Sequence, residues 1–203
     1  MEIKLYYGVL SKAHQNILTN LKDFKKYFYL AGGTGLALQI GHRKSEDFDF
    51  FTNEDFKKIQ LENLIMNKFK HEKLIYNQRE NDTITILVND KIKISFFKLD
   101  YANILPLIET EYFNLADVRE IGIMKLISLI RAAYRDYVDL YFLLKKYSLA
   151  EIISLAQKKH PEIDIEIYLK SLVSFDDIEI MPLKFTKGNK VFHKQVFNYI
   201  KKC

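Results

Sequence analysis

Between Tyr29 and Thr52 the chain changes its apolar period three times. Phe28-Tyr29-Leu30-Ala31 is a short apolar run of the kind that forms a buried strand, and Gly32-Gly33 stops it. Thr34 can cap a helix running from Gly35 to about Ile40, and Gly41 can end it. Glu46 to Phe50 then alternates acids with phenylalanines, which is the period of a strand with one buried face. A strand that turns through two glycines into a helix and returns as a strand fixes the front of the chain as mixed α/β.

The same block carries the chemistry. Asp47 and Asp49 are two apart on the expected strand, so both carboxylates leave one face while Phe48 and Phe50 anchor the other. Like charges side by side repel unless a cation joins them. Mg²⁺ suits such a pair, because it takes one or two carboxylates and completes its shell with substrate phosphates and water. The backbone of a Gly-Gly turn can approach a phosphate closely, and a helix that opens there offers unpaired N–H groups. Thr34 adds a hydroxyl, and Arg43 and Lys44 can neutralise further phosphate charge. Each feature alone is usually structural; together, in this order within 29–52, they point to a bound polyphosphate.

Other motifs are missing. Leu38 stands where a dinucleotide fingerprint needs its third glycine, and no P-loop pattern occurs. His14, His42, His71, His160 and His193 show no metal spacing; His42 reads as a surface residue or a satisfied hydrogen-bonder. The lone Cys203 has no evident base and cannot form an intrachain disulfide, which fits a reducing cytoplasm. No apolar run approaches the roughly 18 residues of a membrane span, and the start lacks a signal-peptide pattern. With 48% apolar and 28% charged residues among 203, disorder is excluded as well.

The rest of the chain divides by texture. Ile17, Leu18, Leu21, Phe24 and Phe28 predict a helix over 11–28. Asn53 can cap a helix over about 54–69. Three strand-like segments follow at 73–76, 83–88 and 91–97, with Asn89-Asp90 as a hairpin turn. From Asp117 the apolar period is helical, with further helices expected at 136–146, 149–158, 165–173 and 192–201. The expected fold is therefore α+β: a mixed sheet flanked by helices in 1–112, then a helical bundle in 113–203. Charge is also uneven. The net charge is +5, and six lysines without an acid fill 184–202, after six acids and one lysine in 161–180. A basic balance favours an anionic partner such as nucleotide or RNA. It is equally the signature of a lysine-rich composition.

Gly32-Gly33-Thr34, twelve intervening residues and Asp47-Phe48-Asp49 resemble the signature of the DNA polymerase β-like nucleotidyltransferases. More narrowly, the stretch Gly41-His42-Arg43-Lys44-Ser45-Glu46-Asp47-Phe48-Asp49-Phe50-Phe51 is similar to the AbiEii-type toxin nucleotidyltransferases of bacterial abortive-infection and toxin–antitoxin systems. Lys125 in an apolar helix, followed by Arg135-Asp136-Tyr137-Val138-Asp139-Leu140, resembles a later block of that family. The resemblance covers about 28–145. It implies a cytoplasmic nucleotidyltransferase fold that binds NTP with Mg²⁺ or Mn²⁺ and transfers a nucleotidyl group to an RNA, tRNA, protein or small-molecule acceptor, countered by a cognate antitoxin. Asp47 and Asp49 would hold metal. Gly32, Gly33, Thr34, Arg43, Lys44 and Ser45 would lie along the phosphates. Lys125 would contact the triphosphate, and Asp136 would be the late catalytic or nucleotide-orienting acid, the helical part lending both to a cleft. Asp139 would pair with Arg135 one turn back on the helix.

One departure stands out. Polymerase-type relatives carry a third carboxylate on the strand beside the Asp-x-Asp strand, here 91–97. Ile92, Ile94 and Phe96 share one face; the other offers Lys91, Lys93, Ser95 and Phe97, with Ser95 where the acid would sit. Asp90 and Asp100 only flank the strand. The general base is left unassigned, Asp136 being one candidate. The alternative to an active enzyme is a catalytically degenerate nucleotide- or RNA-binding module of the same fold.

Overall fold

The computed structural model describes residues 3–203. By compactness these residues form two units. One unit comprises Leu10–Gly35 and Ser45–Asp117; the other comprises 3–9, Leu36–Lys44 and Val118–Cys203.

The first unit holds the sheet. Ser11 caps α1 (Lys12–Asn16), and a 3₁₀ helix then spans Leu18–Lys26. The single helix expected over 11–28 is thus two pieces. Leu18, Leu21 and Phe24, all buried, are three residues apart, and a 3₁₀ helix lines them up on one face. β1 (Tyr29–Leu30) leads into α2 (Gly32–Ile40). β2 (Asp47–Thr52) follows, and then α3 (Lys58–Lys68). α3 starts later than expected, because the Thr52 hydroxyl accepts the Glu54 N–H at 3.1 Å and holds the chain in a turn that competes with helix. β3 (Leu74–Arg79), β4 (Thr83–Val88) and β5 (Ile92–Lys98) form a meander. Its last turn has Asn89 and Asp90 at φ 52° and 57°, the doubly left-handed turn that matches strand twist. Two short strands, β6 (Ile108–Glu109) and β7 (Asn114–Leu115), lie where no strand was expected.

The seven strands run in the order β3-β4-β5-β2-β1-β7-β6. β2 is central, parallel to β5 and antiparallel to β1; β1 is parallel to β7. One face is aromatic: Phe48, Phe50 and Phe96 are fully buried, with Phe24 4.9 Å from Phe96 and Phe50 5.5 Å from Phe96 between ring centres. This cluster clamps the middle of β2 from below and leaves its other face for polar residues.

The second unit is helical. It contains α4 (Val118–Ser128), α5 (Tyr134–Leu144), α6 (Leu149–Lys159), α7 (Ile165–Val173) and α8 (His193–Ile200). Gly122 lets α4 approach α5 and α6: a Cβ there would meet Leu143 at 2.9 Å and Ile152 at 3.1 Å. The segment 41–44 is pinned by the C-terminal stretch. Lys44 N–H donates to the Lys184 carbonyl at 2.7 Å, Thr186 N–H to the His42 carbonyl at 3.2 Å, and the Thr186 hydroxyl to the Gly41 carbonyl at 2.6 Å. Among the described residues no helix is long and apolar enough to cross a membrane.

Candidate active site

In the sheet unit, Asp47 and Asp49 alternate with buried Phe48 and Phe50, so the two carboxylates share a half-exposed face. β1 ends at Leu30, and the Ala31 N–H still reaches the Asp49 carbonyl at 3.1 Å. Gly32 then turns with φ +61°. A Cβ on it would lie 3.0 Å from Asp49 Oδ2, so a glycine is what lets this carboxylate lie against the turn. The first bond closing the α2 turn runs from the Gly35 N–H to the Ala31 carbonyl at 3.0 Å, so the N–H groups before it have no carbonyl one turn back in the helix. The Gly-Gly turn and the acid pair are therefore neighbours, as the sequence block predicts.

Thr34 corrects its expected part. It does not cap the helix, which begins two residues earlier. It is buried, and its hydroxyl lies on Ser45 Oγ at 2.7 Å and on the Asp47 carbonyl. Thr34 and Ser45 thus tie the turn to the acid strand instead of facing outward.

The face around the acids has one carboxylate row and one hydroxyl row. Lys93 stands beside Asp47 in register, and Ser95 beside Asp49. Ser95 is itself opposite Thr85, whose hydroxyl is 3.3 Å from Ser95 Oγ. The place expected for a third acid is thus occupied by two buried hydroxyls, which bring no charge. Among the described residues no group of three or more His, Cys, Asp or Glu side chains could hold a metal by itself. Asp47 and Asp49 fit Mg²⁺ in the way that ion is commonly held, by two carboxylates with phosphate oxygens completing the shell.

The helical unit carries the second set. Asp139 and Asp136 are fully buried on α5, and Lys125 on α4 is 6% exposed. Lys125 Nζ lies 2.6 Å from Asp136 Oδ1 and 2.7 Å from Asp139 Oδ2. Arg131 adds a bond to Asp136 Oδ2 at 2.7 Å. Arg43 grips Asp139 bidentately, Nε to Oδ1 at 2.7 Å and Nη2 to Oδ2 at 2.9 Å, and His42 Nε2 donates to Oδ1 at 2.8 Å. Arg43 is therefore a buried partner of Asp139, not a solvent-facing cation. The partners of Asp139 come from 42–43 and 125; among the described residues none is Arg135. His42 is fully buried, not on the surface. Burial alone would raise the Asp139 carboxyl, but Arg43, Lys125 and the His42 hydrogen bond together hold it well below the usual carboxylate range. His42 is pushed below the usual imidazole range by burial first, against the pull of Asp139. Lys44 is exposed, and its ammonium donates to the Gly8 carbonyl.

The Asp139 hub was missed because His42 and Arg43 lie almost a hundred positions from it in sequence. The only signal for it is a second acid one turn after Asp136, and that spacing has a cheaper local explanation.

The mixed sheet with a Gly-Gly turn set against an Asp-x-Asp strand is the arrangement that the resemblance to nucleotidyltransferases implies. The family model described as "Nucleotidyl transferase AbiEii toxin, Type IV TA system" matches residues 16–194. The chain belongs to this family. An uncharacterized protein of Aquifex aeolicus (strain VF5) is 38% identical over 161 residues, 74% of each chain. The fold is similar to the crystal structure of a candidate nucleotidyltransferase from H. pylori, with TM-score 0.59 and 20% identity over 93% of this chain and 90% of that one. JHP933 from Helicobacter pylori is similar with TM-score 0.57 and 16% identity, over 95% of both chains.

Proposed function

We propose that this chain is a nucleotidyltransferase toxin that uses an NTP with Mg²⁺ or Mn²⁺ and transfers its nucleotidyl group to an RNA or protein acceptor, with an antitoxin countering it in the cytoplasm. The observation that carries this reading is the shared, half-exposed face of Asp47 and Asp49 against the Gly32 turn. Asp47 and Asp49 would hold the metal, which supplies charge neutralisation at the phosphates. The Gly32 and Gly33 backbone would receive phosphate oxygens. Lys125, the ammonium that the family resemblance assigns to the triphosphate, is held between Asp136 and Asp139. Asp136, already bound by Lys125 and Arg131, is better suited to orient Lys125 than to take a proton. Lys44 is a phosphate candidate by its exposure; Thr34 and Ser45 tie the Gly-Gly turn to the acid strand, and Arg43 ties its own segment to Asp139.

The test is transfer of label from each α-labelled NTP into total tRNA and into lysate protein, with Asp47→Ala alongside. Label in one fraction that is lost in the variant, by at least about a hundredfold, is the expected outcome. Label undiminished in Asp47→Ala refutes the placement of the metal. The hydroxyl pair Ser95–Thr85 favours one second reading, a nucleotide-binding module without catalysis. Mn²⁺-dependent NTP binding with no transfer to either fraction selects it.

A further inference from the structure

Two side chains outside the acid strand hold the peptide groups on either side of the Asp47 Cα. The Thr34 hydroxyl takes the Asp47 carbonyl, which lies beyond the reach of β1 because the chain has already turned into α2. His14 takes the other. Its Nε2 lies 2.5 Å from the Glu46 carbonyl, 32 positions away in sequence, and a carbonyl can only accept, so Nε2 carries the proton. Its Nδ1 lies 2.7 Å from Ser11 Oγ, so the Ser11 hydroxyl donates to it and fixes the ring. The ring is 4% exposed and sits 5.6 Å from the ring of Phe48. Fixing the peptide plane before a residue and the one after it fixes φ and ψ at that residue, and with them the direction of its Cα–Cβ bond. At Asp47 that bond aims a carboxylate.

We infer that His14, oriented by Ser11, is a positioning residue for Asp47. A short α-helical turn capped by a serine would by itself need no histidine in it. His14 lies in α1, just before the residues 16–194 matched by the family model. The inference deepens the proposed function, on which its metal-binding part rests. Partners that orient metal-ligating groups are worth about 10–100-fold in metal affinity or activity.

The decisive variant is His14→Phe, which keeps the ring against Phe48 and removes both nitrogens. Two measurements separate the inference from the reading it builds on. A crystal structure of His14→Phe without ligand reports the geometry: a reoriented Asp47 carboxylate is expected, and an Asp47 superimposable on the parent overturns the inference whether or not any NTP binds. Mn²⁺ titration with a fixed NTP reports the consequence. His14→Phe is expected to raise the Mn²⁺ requirement at least tenfold, Ser11→Ala to raise it less, and His14→Gln, whose amide retains an N–H donor, to recover part of the loss. A matched loss of stability without a metal effect is supplied by Ile65→Val, in the buried core of α3, which should leave the Mn²⁺ requirement unchanged. An unchanged requirement in His14→Phe also overturns the inference. Equal Mn²⁺ binding by the parent and Asp47→Ala instead overturns the nucleotidyl-transfer reading, and the crystal structure then decides the positioning alone.

Discussion

Asp139 concentrates more charge chemistry than any other described residue of the helical unit. It is fully buried and answers two cations and an imidazole at once. Removing one member of a buried ion network leaves the rest without compensation, at a cost of about 3–5 kcal/mol. Asp139→Asn, which keeps the shape and removes the charge, is expected to lose that amount in urea denaturation. The same hub makes stability depend on pH. The Asp139 carboxyl is held far below its unfolded value near 3.9, so its contribution is complete above that value and is lost as pH falls below it. His42 is also lowered, from about 6.5 in the unfolded chain. Its Nδ1 is buried without a hydrogen-bond partner, so a second proton there would have no acceptor. Below about pH 6.5 the unfolded chain takes up a proton that the folded one resists, and stability begins to fall. Denaturation midpoints should therefore be flat between about pH 7 and 8 and decline in two stages below, and His42→Gln should reduce the upper one, which His42 shares with His160, also lowered by burial.

The Gly32 turn is the element on which the acid face depends. Its left-handed backbone costs an L-residue about 1–2 kcal/mol, and an added methyl would crowd Asp49 Oδ2. Gly32→Ala is expected to lose about that much stability and to weaken Mn²⁺-dependent NTP binding, read by denaturation and titration on the same preparation. This turn, the alternation of β2 and the Asn89-Asp90 hairpin were legible because each is a local pattern with a local cause. The 3₁₀ segment was not, since Leu18, Leu21 and Phe24 satisfy both helical periods when read with Ile17 and Phe28. β6 and β7 have two residues each, too few for any period, and exist because β1 and then β7 offer them a ladder. Within the candidate site, the shared face of Asp47 and Asp49 and the Gly32 turn were legible from spacing. Arg43 and Thr34 were named for their chemistry but given the wrong surroundings, because burial is decided by tertiary partners such as Asp139 and Ser45.

At the scale of the molecule, charge is unevenly divided. Residues 3–9, 36–44 and 118–203 carry 18 lysines and arginines against 10 acids, whereas 10–35 and 45–117 carry 13 against 15. The basic excess thus belongs to the helical unit, where Lys187, Lys190, Lys194, Lys201 and Lys202 are exposed. Such a surface favours a polyanionic partner. Binding to total tRNA is expected to weaken with salt, and changing these five lysines to glutamine should reduce the slope of log affinity against log salt by about 0.7 for each lysine that meets a phosphate. A slope unaltered by all five changes would mean that the lysines reflect composition only.

The helical unit is assembled from three stretches of chain, and that has a consequence for the order in which it can be made. During synthesis, Arg43 emerges almost a hundred residues before Asp139, and the carbonyls of Gly41 and His42 emerge before Thr186. Until then a guanidinium destined for burial has no counter-charge, and 41–44 has no strand partner. A ribosome that stops early, or a protease that trims 184–189, leaves the Gly-Gly-Thr and Asp-x-Asp block intact in sequence but deprives the segment just before the acids of its anchor. The lock on 41–44 is thus completed by a residue translated 145 positions after Gly41.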